Sequence, residues 1–522
     1  MVSVGRILSV VVLVVCISAL GNAQQDCQDT VTQEGQRRCL RWLINNKANS
    51  ADLNKKADRT ELDTKADTKD LDTKATTNAI ANIAKDLETV KRSLGFDRDR
   101  FWVLLSALLV FFMQAGFLCL EVGMVRKEFD ILQAAYKLFS WIATYAGYFF
   151  IGFGIMFSTS GERGLFGWNW PLWPANVINE INNNRGMEFF LFQAAFAATA
   201  VTIPAGAAAE RISLRAYFLI GIFIALIAYP IFGHWAWGGS LHAEEFVVQN
   251  PSVQGWLRRL GFHDFAGSTV VHSIGGWFAL AIALALGPRT GRFLGNGAIN
   301  LKDFPSSSRG YAVLGVFLLW FGWWGFNGGS QLKYDPSIAI IILNTNIAGA
   351  AAGFAAWAFA RWQKKWWEDK PWFHRDGFIP EKVIGGVLGG LVAITASCDR
   401  ADSPRAFLIG LSAGIIHNLV FDLLLRLKID DPVGAVPVHL GCGVWGTLCV
   451  AFTYPDFGKQ VTVQLAGVLS AGAWAFVTAW LCIYGLKQFR LLKPTDKARI
   501  SNLWLGALKP TVEEAQVCNL EG

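Results

Sequence analysis

The chain has 522 residues, 53% of them hydrophobic and only 17% charged, with a net charge of +7. So apolar a composition over so long a chain excludes an ordinary soluble domain and indicates a polytopic membrane protein. The charge excess is modest and forms no basic stripe suited to nucleic acid, and the 52 glycines suit closely packed membrane helices.

Residues 1–23 read as a secretory signal. Arg6 supplies the leading charge, Ile7 to Leu20 the apolar stretch, and Gly21-Asn22-Ala23 the small residues of a cleavage site. The alternative is an uncleaved first membrane helix. Under either reading the polar stretch that follows, 24–95, is exported. It contains no Pro, and Leu53, Leu62, Leu71 and Ile80 recur every nine residues, with Ala57, Ala66, Ala75 and Ala84 four positions after each. At about 100° per residue, a nine-residue repeat turns the apolar face by about 180°, so a straight helix cannot keep one seam. The pattern resembles nonad coiled coils of trimers, with a solvated, partly disordered stalk as the alternative. Cys27 and Cys39 lie in this exported stretch and could form a disulfide, stay free or bond between subunits. Cys16 lies in the signal. The remaining six cysteines show no metal-ligand spacing, and the reading calls for no metal or cofactor.

From Phe101 onward the sequence predicts eleven apolar spans: 101–125, 136–158, 187–209, 213–235, 264–287, 311–330, 337–360, 382–399, 405–426, 435–454 and 461–487. These define a membrane domain over 96–490 and a tail over 491–522. An odd number of crossings places an exported N-terminus opposite a cytoplasmic C-terminus. Charge agrees. The inner loops would hold Arg126/Lys127, Arg211/Arg215, Arg289/Arg292 and Arg361/Lys364/Lys365, and the tail adds Lys487, Arg490, Lys493, Lys497 and Arg499. Trp168-Asn-Trp170-Pro-Leu-Trp173 reads as an interfacial aromatic anchor on the outer side.

Two stretches share one pattern: Asp, Gly three residues on, His eight residues on. They are Asp264-Phe-Ala-Gly267-Ser-Thr-Val-Val-His272 and Asp431-Pro-Val-Gly434-Ala-Val-Pro-Val-His439. Each His falls in an apolar span, where a charged group costs about 3 kcal/mol or more. The motifs open spans five and ten, so two five-span halves must sit inverted, with an eleventh span added. That inversion would bring His272 and His439 together near mid-membrane. Neutral imidazoles each carry a donor and an acceptor, so the pair could bond a small polar solute and relay a proton. His417 lacks a partner motif and reads as packing; His234 reads as interfacial, and His242, His263 and His374 as loop residues. Asp264 and Asp431 read first as helix caps, with direct binding of a cation as the alternative for Asp264. Trp237, at a span end near Asp264, could hold a cation on its indole face.

The first motif is very close to the signature of the ammonium transporter (Amt) family, part of the Amt/Mep/Rh superfamily. Other pieces resemble the same family in order: Met113-Gln-Ala-Gly-Phe-Leu-Cys-Leu-Glu121, Phe192-Gln-Ala-Ala-Phe196 through Glu210-Arg211, Gly322-Trp-Trp-Gly-Phe326-Asn-Gly-Gly-Ser330, and Asp430-Asp431-Pro432 through His439. The likeness covers about 101–490. It implies an all-α membrane protein of eleven helices on an inverted five-plus-five repeat, assembled as a homotrimer in the plasma membrane and surrounded by lipid. It implies transport of ammonium or ammonia, with methylammonium as an analogue, and no enzymatic reaction. By resemblance, Phe196, Trp237 and Ser330 form an outer recruitment site, and Phe196 and Phe326 a stacked gate. His272 and His439 are the twin-His site, Asp264 is the vestibule carboxylate, and Thr395 lies near the pore.

Two departures stand out. Gly434 occupies a position where many members carry a second Asp, and the tail from Lys493 lacks the family's acidic coupling segment. A sensor built on the same core is the main rival reading, motivated by the exported segment and the tail. A metal or haem carrier using His272 and His439 is disfavoured, because Val, Ser, Gly and Leu flank them.

Overall fold

A computed structural model divides the chain into two compact units, residues 1–90 and 91–522. It describes residues 68–159, 163–168, 186–240, 253–367 and 379–493, with Gly161 and Lys370 as isolated positions. The signal segment, Cys27, Cys39, the nonads through Ala66, Trp170, Trp173, His242, His374 and the tail beyond Lys493 lie outside the described residues. In the first unit, residues 68–90 are helical, so the last nonads fall in helix.

The second unit is all-helical among its described residues, with one isolated β-bridge between Phe293 and Ile299. Ten of the eleven expected spans are helices long and apolar enough to cross a membrane. They are α1 (Asp97–Met124), α2 (Lys127–Phe157), α3 (Met187–Ala208), α4 (Leu214–Trp237), α5 (Ser268–Leu286), α6 (Arg309–Gly329), α7 (Ser337–Lys365), α9 (Ser403–Arg426), α10 (Val436–Thr453) and α11 (Phe457–Gln488). The segment expected over 382–399 is the 16-residue helix α8 (Ile379–Ile394), followed by turn through Arg400. At 1.5 Å per residue it reaches about 24 Å, short of a hydrocarbon core of about 30 Å.

Local chemistry sets where several helices begin. The Ser213 and Ser308 hydroxyls accept from the N–H of Ala216 and Tyr311, and the Asp402 and Asp456 carboxylates from Arg405 and Lys459. Each satisfies a donor that the first helical turn would leave unpaired. Helices α7, α8 and α9 pack mutually, α2 packs on α3 and α4, and α5 packs on α11. Phe317, Phe354, Leu408, Leu469 and Leu481 are all 60% or more exposed, an outer surface suited to hydrocarbon.

At one end of the unit, four connections are tied by charge. Arg289 forks onto Asp430 at 2.8 and 3.0 Å and reaches Glu210 at 2.9 Å. Arg126 holds the other Glu210 oxygen at 2.8 Å, and Arg211 donates to the Asp430 carbonyl at 2.8 Å. The Phe304 ring lies 4.9 Å from the Arg126 and Arg289 guanidiniums. Burial pushes the Asp430 carboxyl up, but the Arg289 guanidinium outweighs it and holds the group below its usual range.

Candidate conduction site

The two motifs fold alike. One Asp264 oxygen accepts from Gly267 N–H at 3.1 Å, and the other from Thr269 and Val270 at 2.9 and 2.8 Å. Asp431 repeats this with Gly434 and Ala435, both at 3.1 Å, and Val436 at 2.7 Å. Gly267 and Gly434 have φ of +109° and +79°, a backbone region open to glycine at little cost. That gives Gly434 its own reason to be there, since a non-glycine residue would be strained at this turn. Each turn leads into a π-helical segment, Ser268–Ser273 in α5 and Val436–Gly441 in α10, and each segment carries its motif's His. A π turn inserts an extra residue and re-aims the side chains that follow.

The result is a contact of 3.2 Å between Nδ1 of His272 and Nδ1 of His439, with the rings 5.2 Å apart and 19° from parallel. One nitrogen must donate and the other accept, so the outer ring nitrogens differ in kind: one acceptor, one N–H. Exchanging both tautomers would hand a proton from one end of the pair to the other. His272 is fully buried, His439 is 6% exposed, and Nε2 of His272 has no hydrogen-bond partner among the described residues.

Rings lead up to this pair. Phe196 and Phe326 stack with centroids 3.9 Å apart and planes 12° from parallel. Trp237 meets Phe196 edge-on at 6.2 Å, and Phe326 lies 5.4 Å from the His272 ring. The order is therefore Trp237, Phe196, Phe326, His272, His439. The Trp237 indole donates to the Asp264 main-chain carbonyl at 2.6 Å, joining the expected recruitment residue to the backbone of the residue that carries the expected vestibule carboxylate. Half-buried Ser330 follows the last turn of α6 and donates to the Phe326 carbonyl at 2.8 Å, leaving its lone pairs as acceptors.

Thr395 does not reach the histidines directly. Its hydroxyl accepts from the Trp323 indole at 2.9 Å, and Trp323 stacks on His272 at 5.2 Å. Trp323 was missed from sequence, although it precedes Phe326 by three residues and so shares its helix face. Phe117 lies 6.3 Å from the His439 ring, and no spacing in the sequence marks it. A buried pair, Glu121 and Lys137, also went unread, although a charge inside an apolar span is itself a signal. His417 is buried against Asn418, and His263 faces Asp399. His234 is fully buried, its Nδ1 2.9 Å from the Met156 carbonyl, three residues before the end of α4. Among the described residues no group of three His, Cys, Asp or Glu is placed to hold a metal ion.

Membrane-length helices around interior paired imidazoles, reached through stacked rings, define a multi-pass membrane protein with a polar site enclosed in its helical core. Residues 101–503 match the model described as Ammonium Transporter Family, and the chain belongs to that family. A Synechocystis protein carrying an ammonium transporter name is 41% identical over 410 residues, 76% of this chain and 71% of its own length. Ammonium transporter Amt2 of Archaeoglobus fulgidus is 34% identical over 77% of this chain and 85% of its own. A solved structure titled Sensor Amt Protein is 38% identical, with a TM-score of 0.70 over 77% of this chain and 96% of that one.

Proposed function

We propose that this protein conducts ammonium across the plasma membrane. Ammonium is recruited at Phe196, Trp237 and Ser330, where ring faces attract the cation and the hydroxyl accepts an N–H. A bare cation would pay a severe desolvation cost beyond the Phe196–Phe326 stack, so the cargo is deprotonated and passes as ammonia. The twin histidines then bond the ammonia and offer its proton a path. The observation that carries this reading is the 3.2 Å His272–His439 contact directly behind the stacked phenylalanines.

The same reading takes α8 with its following turn as the eleventh crossing. It puts the N-terminus outside and the C-terminus in the cytoplasm, and assembles the chain as a homotrimer. Residues 1–23 are the signal and 24–95 the exported nonad segment. A sensor on the same core is the second reading, favoured by the likeness to the solved sensor protein.

The test is uptake of labelled methylammonium by cells lacking their own transporters. Wild type should take it up, and His272→Ala and Trp237→Ala should each lose about tenfold or more in rate. Unimpaired variants would remove the assigned roles. An inactive wild type would favour the sensor.

A further inference from the structure

We propose that Lys137 fills, with its own ammonium head, an ammonium-shaped cage in the protein core beyond His439, and so keeps Glu121 from holding the cargo. The cage is read from geometry; its consequence for transport rests on the function proposed above.

Glu121 and Lys137 lie within α1 and α2 and are 2% and 4% exposed. Two charges at such depth persist only when closely paired and fully bonded. Nζ of Lys137 lies 2.5 Å from Glu121 Oε1, 2.8 Å from Thr202 Oγ1 and 3.0 Å from the Thr202 carbonyl. The Phe117 ring centroid is 5.8 Å away. Three oxygen acceptors and an aromatic face match the three N–H bonds and single charge of a primary ammonium group. Gln133 takes the second Glu121 oxygen at 2.5 Å and also reaches the Ala205 carbonyl at 3.3 Å. The cage is thus built from α1, α2 and α3. Phe117 also faces the His439 ring at 6.3 Å, so a single ring separates the cage from the paired imidazoles.

An open carboxylate there would pair with any small ammonium ion reaching it from the histidines and would retain it. The tethered amine of Lys137 satisfies that carboxylate permanently. Lys137 is therefore a positioning residue: it touches no cargo, but it sets what the conduit wall offers.

The experiment is thermal unfolding of the full purified chain in ammonium, methylammonium or sodium chloride at equal ionic strength. Wild type is compared with Lys137→Ala and with the double variant Lys137→Ala/Glu121→Ala. Removing only the lysine leaves a carboxylate cage for a free amine. Lys137→Ala should then gain at least about 3 °C in Tm from ammonium or methylammonium relative to sodium. The double variant should gain no more than wild type. Equal shifts in the single and double variants overturn the proposal. Should Lys137→Ala not accumulate in membranes, growth with methylammonium decides instead: recovery dependent on methylammonium supports the cage, and no recovery overturns it. Failure of the transport reading shows separately, as absent methylammonium uptake by wild type.

Discussion

At the residue scale, the site depends on side chains that hold other side chains. Trp323 covers His272, and its indole N–H is buried on the Thr395 hydroxyl. Thr395→Val keeps the shape but removes that acceptor, and an orphaned buried donor costs about 1–3 kcal/mol. The expected outcome is a lower Tm together with methylammonium uptake reduced several-fold as Trp323 shifts over His272. Uptake and Tm equal to wild type would show that the indole needs no anchor. The histidines and their aspartates were legible in the sequence because one spacing occurs twice. The Phe196–Phe326 stack was not legible from pattern, since its partners lie on α3 and α6 and read alone as ordinary core; only family resemblance picked them out. Trp323 stayed hidden for the same reason: an aromatic in an apolar span carries no periodic mark of its own.

At the element scale, the turn before each His is built by an aspartate and a glycine, and the connection leading into the second of these turns is locked by arginines. Asp430 takes both prongs of Arg289 and the Arg289 backbone N–H. Asp430→Asn removes the charge and leaves a buried guanidinium short of its partner, for an expected loss of about 3 kcal/mol and a clearly lower Tm. The sign with pH follows. Because the folded carboxyl sits below its usual value, its stabilisation is full above the unfolded value of about 3.9 and is lost as pH falls through the folded one. Wild type should therefore lose stability below about pH 4, and Asp430→Asn should lose less over the same range. Identical acid profiles would contradict this. The ten long helices were readable from length and hydropathy. The short reach of α8 was not, because residues 395–399 contain no Gly or Pro to mark the point where the helix gives way to turn.

At the scale of the whole molecule, the proposed inversion of two five-span halves would account for one motif appearing twice with its histidines meeting in the interior. Each chain carries both histidines of the pair, so the proposed conduit takes neither of them from a neighbour. Trimer assembly is expected from family membership, and exposed side chains such as Phe354 and Leu469 provide apolar surface that lipid and neighbouring copies could share. Light scattering of the detergent-solubilised protein should give about three copies of the 57.4 kDa chain once bound detergent is subtracted. A single-copy mass with intact uptake would show that the trimer is dispensable.

The most direct test is current recording under voltage clamp with ammonium, methylammonium and potassium in turn. Ammonium and methylammonium should each produce saturating, inward-directed transport that potassium does not, because potassium has no proton to give up before the Phe196–Phe326 stack. In His272→Ala that discrimination should collapse. Potassium carried by wild type as readily as ammonium would contradict deprotonation of the cargo ahead of the Phe196–Phe326 stack.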